Sequence, residues 1–265
     1  MKWRRLLLVT ALLSGCATPA KPPLPKFALG EAPRPAPQVD AWPAKLRGTD
    51  VIYFGLTKRS AADNPTVWRI VETLPGSGVR VALGWTELPT TQQPLLDQWQ
   101  RQEISTAQLL DQLGAPARGD WLRPALRPGL IQLALGAPPA LLRMIRAGDA
   151  LSAEERARLP NDYRPRPDAF DTFADRVAAS ARLRRYDLAR LYRAHLAAEQ
   201  MIAENIVRFM RDHPGVKLLV FLPDDVMINP REVADFAAQK APLQQLILDR
   251  SGGQPEARPQ LLASR

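Results

Sequence analysis

The chain has 265 residues, 46% hydrophobic and 24% charged, with a formal net charge of +9, which suits one large globular domain or two small ones. One cysteine excludes an intramolecular disulfide framework and any cysteine-rich zinc site, and two histidines exclude a three-histidine metal centre within one chain. Basic residues are interleaved with acids, as in Glu154-Glu155-Arg156, and no basic patch alternates with aromatics, so no nucleic-acid partner is expected.

Residues 1–5 carry Lys2, Arg4 and Arg5, residues 6–13 are apolar except for Thr10, and Leu13-Ser14-Gly15-Cys16 follows. A basic start, a short apolar core and small residues at the cut describe a secretory signal, too short to span a bilayer as a stable helix. The Leu-Ser-Gly-Cys tetrad resembles a bacterial lipobox. That likeness implies a signal peptide over 1–15, cleavage before Cys16 and lipidation of Cys16. Three of the nine net charges belong to that leader. Ala17 stands where an aspartate would favour inner-membrane retention, so the expected location is the cell envelope, lipid-anchored at the outer membrane and facing the periplasm or the surface. Residues 16–48 hold Pro19, Pro22, Pro23, Pro25, Pro33, Pro35, Pro37 and Pro43. Such spacing favours extended polyproline II and reads as a tether.

A folded domain is expected over 49–250. Residues 50–55, Asp-Val-Ile-Tyr-Phe-Gly, read as a buried strand ending at a glycine, followed by a polar loop with Lys58 and Arg59. Asn64-Pro65 opens a helix with Val67, Trp68, Val71 and Leu74 on one face. Residues 79–85 read as a second strand, 92–99 and 105–113 as helices, the latter capped by Ser105, and 130–135 as a third strand. A helix over 138–147 ends at Gly148, and Ser152 with Glu155 forms a capping box for the next. Residues 161–168 are a proline-broken excursion carrying Tyr163, and 168–183 is amphipathic and helical. Asn229-Pro230 opens a helix to about Lys240, Pro242 starts a short one, and 251–265 is a glycine- and proline-interrupted tail expected to be disordered.

The strongest local signal is the stretch from Tyr186 to Pro223. Leu188, Tyr192, His195, Glu199, Ile202, Ile206 and Phe209 recur at three- and four-residue steps, on one face of a long helix. His195 and Glu199 sit in that packing stripe, where polar groups are costly unless paired, and their i,i+4 spacing lets them pair with each other. Asp212-His213-Pro214-Gly215 stops the helix, and Val216–Leu222 is apolar except for Lys217, as in a strand covered on both faces. Apolar strands separated by amphipathic helices predict an α/β domain with a mainly parallel sheet of at least four strands flanked by helices.

This order of segments resembles the ChaN-type haem-binding lipoproteins, in a wider group with the Tiki, TraB and erythromycin-esterase-like proteins. The resemblance covers about Gly48 to Pro223. Val51–Lys58 matches the family strand ending in Gly-Glu-x-His, and Val81–Glu87 the strand ending in Gly-Phe-Glu. Gln132–Arg158 matches the third strand and following helices through Pro138, Arg143, Gly148 and the Ala-Glu-Glu-Arg run. Arg193–Ala203 matches the Ala-Gln-x-x-x-Asp-x-x-Met-Ala helix, with His195 at the Gln position and Glu199 at the Asp position. The chain departs from the pattern where Leu56, Lys58 and Thr86 stand, and no Gly and His follow the last strand near Asp224 and Asp225.

The resemblance implies haem, or a similar flat hydrophobic cofactor, bound for uptake. Candidate contacts are Tyr163, Tyr192 and His195 as axial ligands, with Lys58 and Arg59 facing the propionates. The alternative is a non-catalytic scaffold lipoprotein that keeps the fold after losing the site, with His195–Glu199 fixing helix packing. Self-association into a homodimer stays open. No catalytic residues and no metal ligands are assigned, because Leu56, Lys58 and Thr86 replace the titratable groups a metal-dependent hydrolase would need. There is no Gly-x-Ser-x-Gly elbow, phosphate loop or dinucleotide fingerprint.

Overall fold

The computed structural model describes residues 46, 48–55, 65–76, 78–114, 119–127, 129–161, 163–180, 183, 185–222 and 228–248. All of them lie in one of the two compact units into which the chain divides, Pro37–Arg265. Cys16, the leader, Lys58, Arg59, Asp224, Asp225 and the tail over 251–265 lie outside the described residues.

Five strands, β1 (Val51–Gly55), β2 (Val81–Pro89), β3 (Ile131–Gly136), β4 (Lys217–Leu222) and β5 (Gln245–Leu248), form one sheet in the order β3-β2-β4-β1-β5. Every pairing is parallel. Nine α-helices accompany them among the described residues: α1 (Pro65–Gly76), α2 (Gln93–Gln100), α3 (Thr106–Gln112), α4 (Gly119–Ala125), α5 (Pro139–Ala147), α6 (Ala153–Ala157), α7 (Ala169–Ala179), α8 (Leu188–Asp212) and α9 (Pro230–Lys240). The expected α/β architecture with a mainly parallel sheet is therefore the observed one, with every strand expected from the sequence present to within two residues at its start.

The strands read as continuous apolar runs because both faces of the sheet are covered. On one face Ile52, Phe54, Leu83, Trp85, Leu219 and Phe221 pack against Trp68, Val71, Leu96, Leu109 and Leu122 from the first four helices. On the other, Val51, Tyr53, Ala82, Leu218 and Val220 pack against Leu141, Ile202, Ile206, Val233 and Phe236 from α5, α8 and α9. Phe221 is at the centre of the first face. Its ring stacks on Trp85 at 4.6 Å, Phe54 at 5.6 Å and Trp68 at 6.1 Å.

Strand β3 is an edge, which would offer unpaired backbone groups to another strand. Two glutamines of α2 occupy it instead. Gln93 Oε1 accepts from the Ala134 N–H at 2.7 Å, Gln93 Nε2 donates to the Gln132 carbonyl at 3.1 Å, and Gln100 Oε1 accepts from the Gln132 N–H at 2.8 Å. Gln132 itself is fully buried, accepting from Trp85 Nε1 at 2.9 Å and donating to the Ala125 carbonyl at 3.0 Å.

Local signals place the helix ends. Ser105 and Ser152 both form capping boxes, with Gln108 and Glu155, and Asn229 caps α9 through its side chain. Helix α5 stops at Gly148, whose φ of +81° favours glycine, and α8 stops at the turn containing Gly215, φ +78°.

One expectation needs correction. The segment after Pro242 is not a short helix. Residues 245–248 form the edge strand β5 beside β1, and the Gln244 carbonyl accepts from Asp50 and Val51 while Asp50 Oδ2 accepts from the Gln244 N–H at 2.8 Å. Four residues are too few for periodicity to separate strand from helix, and the β1 edge decides it. Helix α4 has no local sequence signal, because its glycine start and Pro124 argue against a helix. It closes the core through Leu122 and Ala125, which are 2% and 0% exposed.

Candidate functional site

Ligands in open parallel sheets bind beyond the carboxyl ends of the strands. A cavity of about 520 Å³ lies there, lined by Gly55 and Leu248 at the ends of β1 and β5, by α7 residues including Thr172 and Arg176, and by the start of α9 from Asn229 to Glu232. Arg166, Arg176 and Arg231 line it together with Asp168 and Glu232, which pair with Arg166 and Arg176.

Behind this wall is a buried polar cluster. The period of α8 turns His195 and Glu199 inward, and both side chains have no exposed surface. They do pair, with His195 Nε2 and Glu199 Oε2 3.2 Å apart, as the i,i+4 spacing predicts. The structure adds a partner from another helix. Glu232, in the first turn of α9, brings Oε2 to 3.3 Å from the same nitrogen. Phe173 of α7 stacks on the imidazole at 4.5 Å and fixes the plane of the ring. Arg176, also from α7, places Nη2 3.5 Å from Glu232 Oε1 and 3.5 Å from His195 Nε2.

The turn into α9 locks the two acids together. The Asn229 backbone N–H donates to Glu199 Oε1 at 2.6 Å, while Asn229 Nδ2 donates to Glu232 Oε1 at 2.9 Å. The side chain of Asn229 also accepts from the Arg231 N–H at 3.1 Å. One asparagine thus caps the helix and joins α8 to α9 through both carboxyl groups.

The two carboxyls are driven apart electrostatically. Burial, and next the charge of Glu232, push the Glu199 pKa well above the ordinary carboxylate range, and the Asn229 N–H and Arg176 only partly oppose them. For Glu232, burial acts upward, but the hydrogen bond from His195, the adjacent Glu199 carboxyl and Asn229 prevail and bring it down to about 2. Glu199 therefore holds a proton beside an ionised Glu232, the usual result when two acids share a buried site.

The other residues singled out from the sequence are dispersed. Tyr163 is nearly buried against Phe236, and its hydroxyl donates to Glu204 Oε2 at 2.8 Å. Burial, and then the Glu204 carboxylate, raise its pKa. Tyr192 is half-buried on α8, in edge contact with Phe170 at 5.0 Å and 6.0 Å from the His195 ring. Burial, then Glu232 and Glu199, raise its pKa too, so it carries its proton. His195 and Tyr192 therefore share a neighbourhood, while Tyr163 belongs to the layer between α8 and α9. Thr86, at the family's glutamate position, is buried and donates to the Phe221 carbonyl at 2.9 Å, while Glu87 is exposed. The acids of this site come from helices, not from strand ends.

The sequence assigns no site role to Glu232, Arg176 or Asn229. Asn229-Pro230 reads as a helix start, and an acid in a first turn usually serves the helix dipole at the surface. Only the packing of α9 on α8 makes Glu232 3% exposed.

Comparison with known proteins agrees with this architecture. No curated protein sequence matches the chain. A solved structure described as "Cofacial heme binding to ChaN of Campylobacter jejuni" superposes with a TM-score of 0.61 at 14% identity, over 78% of this chain and 84% of that one. The profile of the family described as "Haem-binding uptake, Tiki superfamily, ChaN" matches residues 42–222. That span takes in β1 to β4 and the whole of α8, and the chain belongs to this ChaN family of the Tiki superfamily.

Proposed function

We propose that this protein binds haem, or a similarly flat hydrophobic cofactor, at the bacterial cell envelope and serves its uptake. Family membership supports the reading, as does the similar fold of a protein whose structure is described as binding haem cofacially. The observation that carries it in this chain is the aromatic surface around Tyr192. A porphyrin needs an apolar face to lie on, a cation near its propionates and an axial donor. Phe170 is 41% exposed and touches the Tyr192 ring, and Tyr186, 46% exposed, lies just ahead of α8. In the segment ahead of α8 the Arg185 guanidinium sits 5.1 Å over the Tyr186 ring. The Tyr192 hydroxyl makes no hydrogen bond to the described residues, whereas Tyr163 is tied to Glu204 and His195 is fully enclosed. Of the three candidate ligands, Tyr192 is the one that suits an axial role.

Haem titration of the detergent-solubilised full chain tests this. A saturable Soret shift is expected in the wild type, with Tyr192→Phe abolishing it or weakening binding by about tenfold or more and Tyr163→Phe leaving it intact. Absence of a saturable shift would sink the haem reading. A shift indifferent to Tyr192→Phe would remove Tyr192 from it.

The same reading includes a lipid anchor. No helix among the described residues is long and apolar enough to cross a membrane; the proposed anchor is Cys16, read from the tetrad Leu13-Ser14-Gly15-Cys16. Several acyl chains make a stable anchor where one is marginal. Growth with a palmitate analogue should label the wild type and not Cys16→Ala; equal labelling of both would refute the anchor.

A further inference from the structure

We propose that His195, Glu199 and Glu232 form a binding site for a single divalent transition-metal ion, reached from the cavity beyond the ends of β1 and β5. The proposal does not depend on the haem reading: its three donors are buried, and the Tyr192 ring lies 6.0 Å from the His195 ring without being one of them.

The geometry is that of a donor set. Ligands held at about 2.0–2.1 Å around a tetrahedral ion lie about 3.3–3.4 Å from one another. His195 Nε2 is 3.2 Å from Glu199 Oε2 and 3.3 Å from Glu232 Oε2, and the three donor atoms all fall within 4.8 Å. One imidazole nitrogen offers a single proton or a single lone pair, yet this one faces two carboxylate oxygens and a guanidinium nitrogen. Hydrogen bonding cannot satisfy all three contacts at once. Glu199 Oε2 shows the shortfall directly, because it is fully buried and has no well-formed hydrogen bond. A buried carboxyl oxygen left without a hydrogen bond is costly, and a cation at the centre of the three donors would remove that cost.

The surroundings are those of a held site. Phe173 fixes the imidazole plane, and Asn229 restrains the second oxygen of each carboxyl group, leaving Oε2 of both acids turned to His195. Such outer partners orient ligands and set their basicity. Glu232, Asn229 and Arg176 also line the cavity, which gives the ion an entry path and a side open to water or an exogenous ligand. One nitrogen with two oxygens suits Zn²⁺, Fe²⁺ or Mn²⁺ better than the all-oxygen preference of Ca²⁺.

Arg176 is the competitor. Its guanidinium reaches the cluster from the cavity side and neutralises Glu232, and at 26% exposure it has room to withdraw. It pairs with Oε1 of Glu232, while the donor proposed for the ion is Oε2. Removing this resident cation should therefore favour the metal.

Titrating the chelator-stripped full chain with Zn²⁺, and separately with Mn²⁺, by calorimetry and thermal melting tests the site. One ion per chain and a raised melting temperature are expected. Glu199→Gln keeps the shape and the Asn229 contact, so it should fold while losing roughly tenfold or more in affinity, the loss that disturbing even an outer partner can cause. His195→Gln should do the same, and Arg176→Gln should bind at least as tightly as the wild type. His213→Asn, which changes the other histidine of the chain, should leave binding unaltered. Absence of saturable binding would overturn the proposal. Equal affinity in wild type and Glu199→Gln, or loss of binding in His213→Asn alone, would overturn it as well.

Discussion

Phe221→Ala should lower stability by about 3–5 kcal/mol, the range for truncating a fully buried aromatic residue. The size follows from the place of β4, which pairs with β2 on one side and β1 on the other. Its Phe221 ring therefore stacks on Trp85 of β2, on Phe54 of β1 and on Trp68 of α1 at the same time. Three large rings cannot close over the space left by one, so lost contact and residual cavity add together. Phe221→Leu retains most of the volume and should cost about 1.5 kcal/mol or less if the neighbours repack. Urea midpoints with an unchanged slope would measure both values. A loss below about 1 kcal/mol for Phe221→Ala would show that the aromatic stack does not hold the sheet against the first four helices.

The second large effect is at Glu199. In the metal-free protein Glu199→Ala should cost about 2–3 kcal/mol, the upper part of the range for leaving a buried polar group unsatisfied. The Asn229 N–H loses its 2.6 Å acceptor, and the His195 nitrogen loses one of its two carboxyl neighbours. The loss should be directed at the junction of α8 and α9, because Asn229 is also the cap of α9. Hydrogen exchange of the first turn of α9 should therefore rise more than that of β4. Glu199→Gln reproduces the shape and polarity of the protonated acid, keeps an oxygen for Asn229, and should cost less than about 1 kcal/mol. Equal destabilisation by Ala and Gln would mean that Glu199 is held ionised, contrary to what its burial beside Glu232 implies.

Both effects act through groups whose burial could be read from the sequence to different depths. Phe221 lies in an apolar run of strand length, and such a run is buried on both faces only in a parallel sheet covered by helices. Its partners could not be named, because strand order is not chain order. Strand β4 enters between β1 and β2, which brings Phe54 and Trp85 to opposite sides of one ring. Glu199 was visible as a polar residue in an apolar stripe, and the i,i+4 step to His195 gave the pair. The third donor was not visible, since an acid three residues beyond a helix cap is ordinarily a solvated first-turn residue. At Pro242 the same limit applies: a four-residue segment, Gln245-Leu246-Ile247-Leu248, has no readable period, and only the free edge of β1 makes it a strand.

What the sequence determined by itself is everything that depends on near neighbours along the chain. Apolar periodicity marked α8 and the buried strands, serine and glutamate marked the capping box at Ser152, and glycine marked the end of α5. These signals act over three or four residues, so they survive without any knowledge of the fold. Tertiary structure alone decided the sheet order, the covering of the β3 edge by Gln93 and Gln100, and the union of His195 and Glu199 with Glu232 and Arg176. Each of those joins elements far apart in the chain, where the cost of burying a polar group depends on which partner the packing delivers. Neither Glu232 on α9 nor Arg176 on α7 carries a local mark of that meeting; the docking of both helices against α8 supplies it.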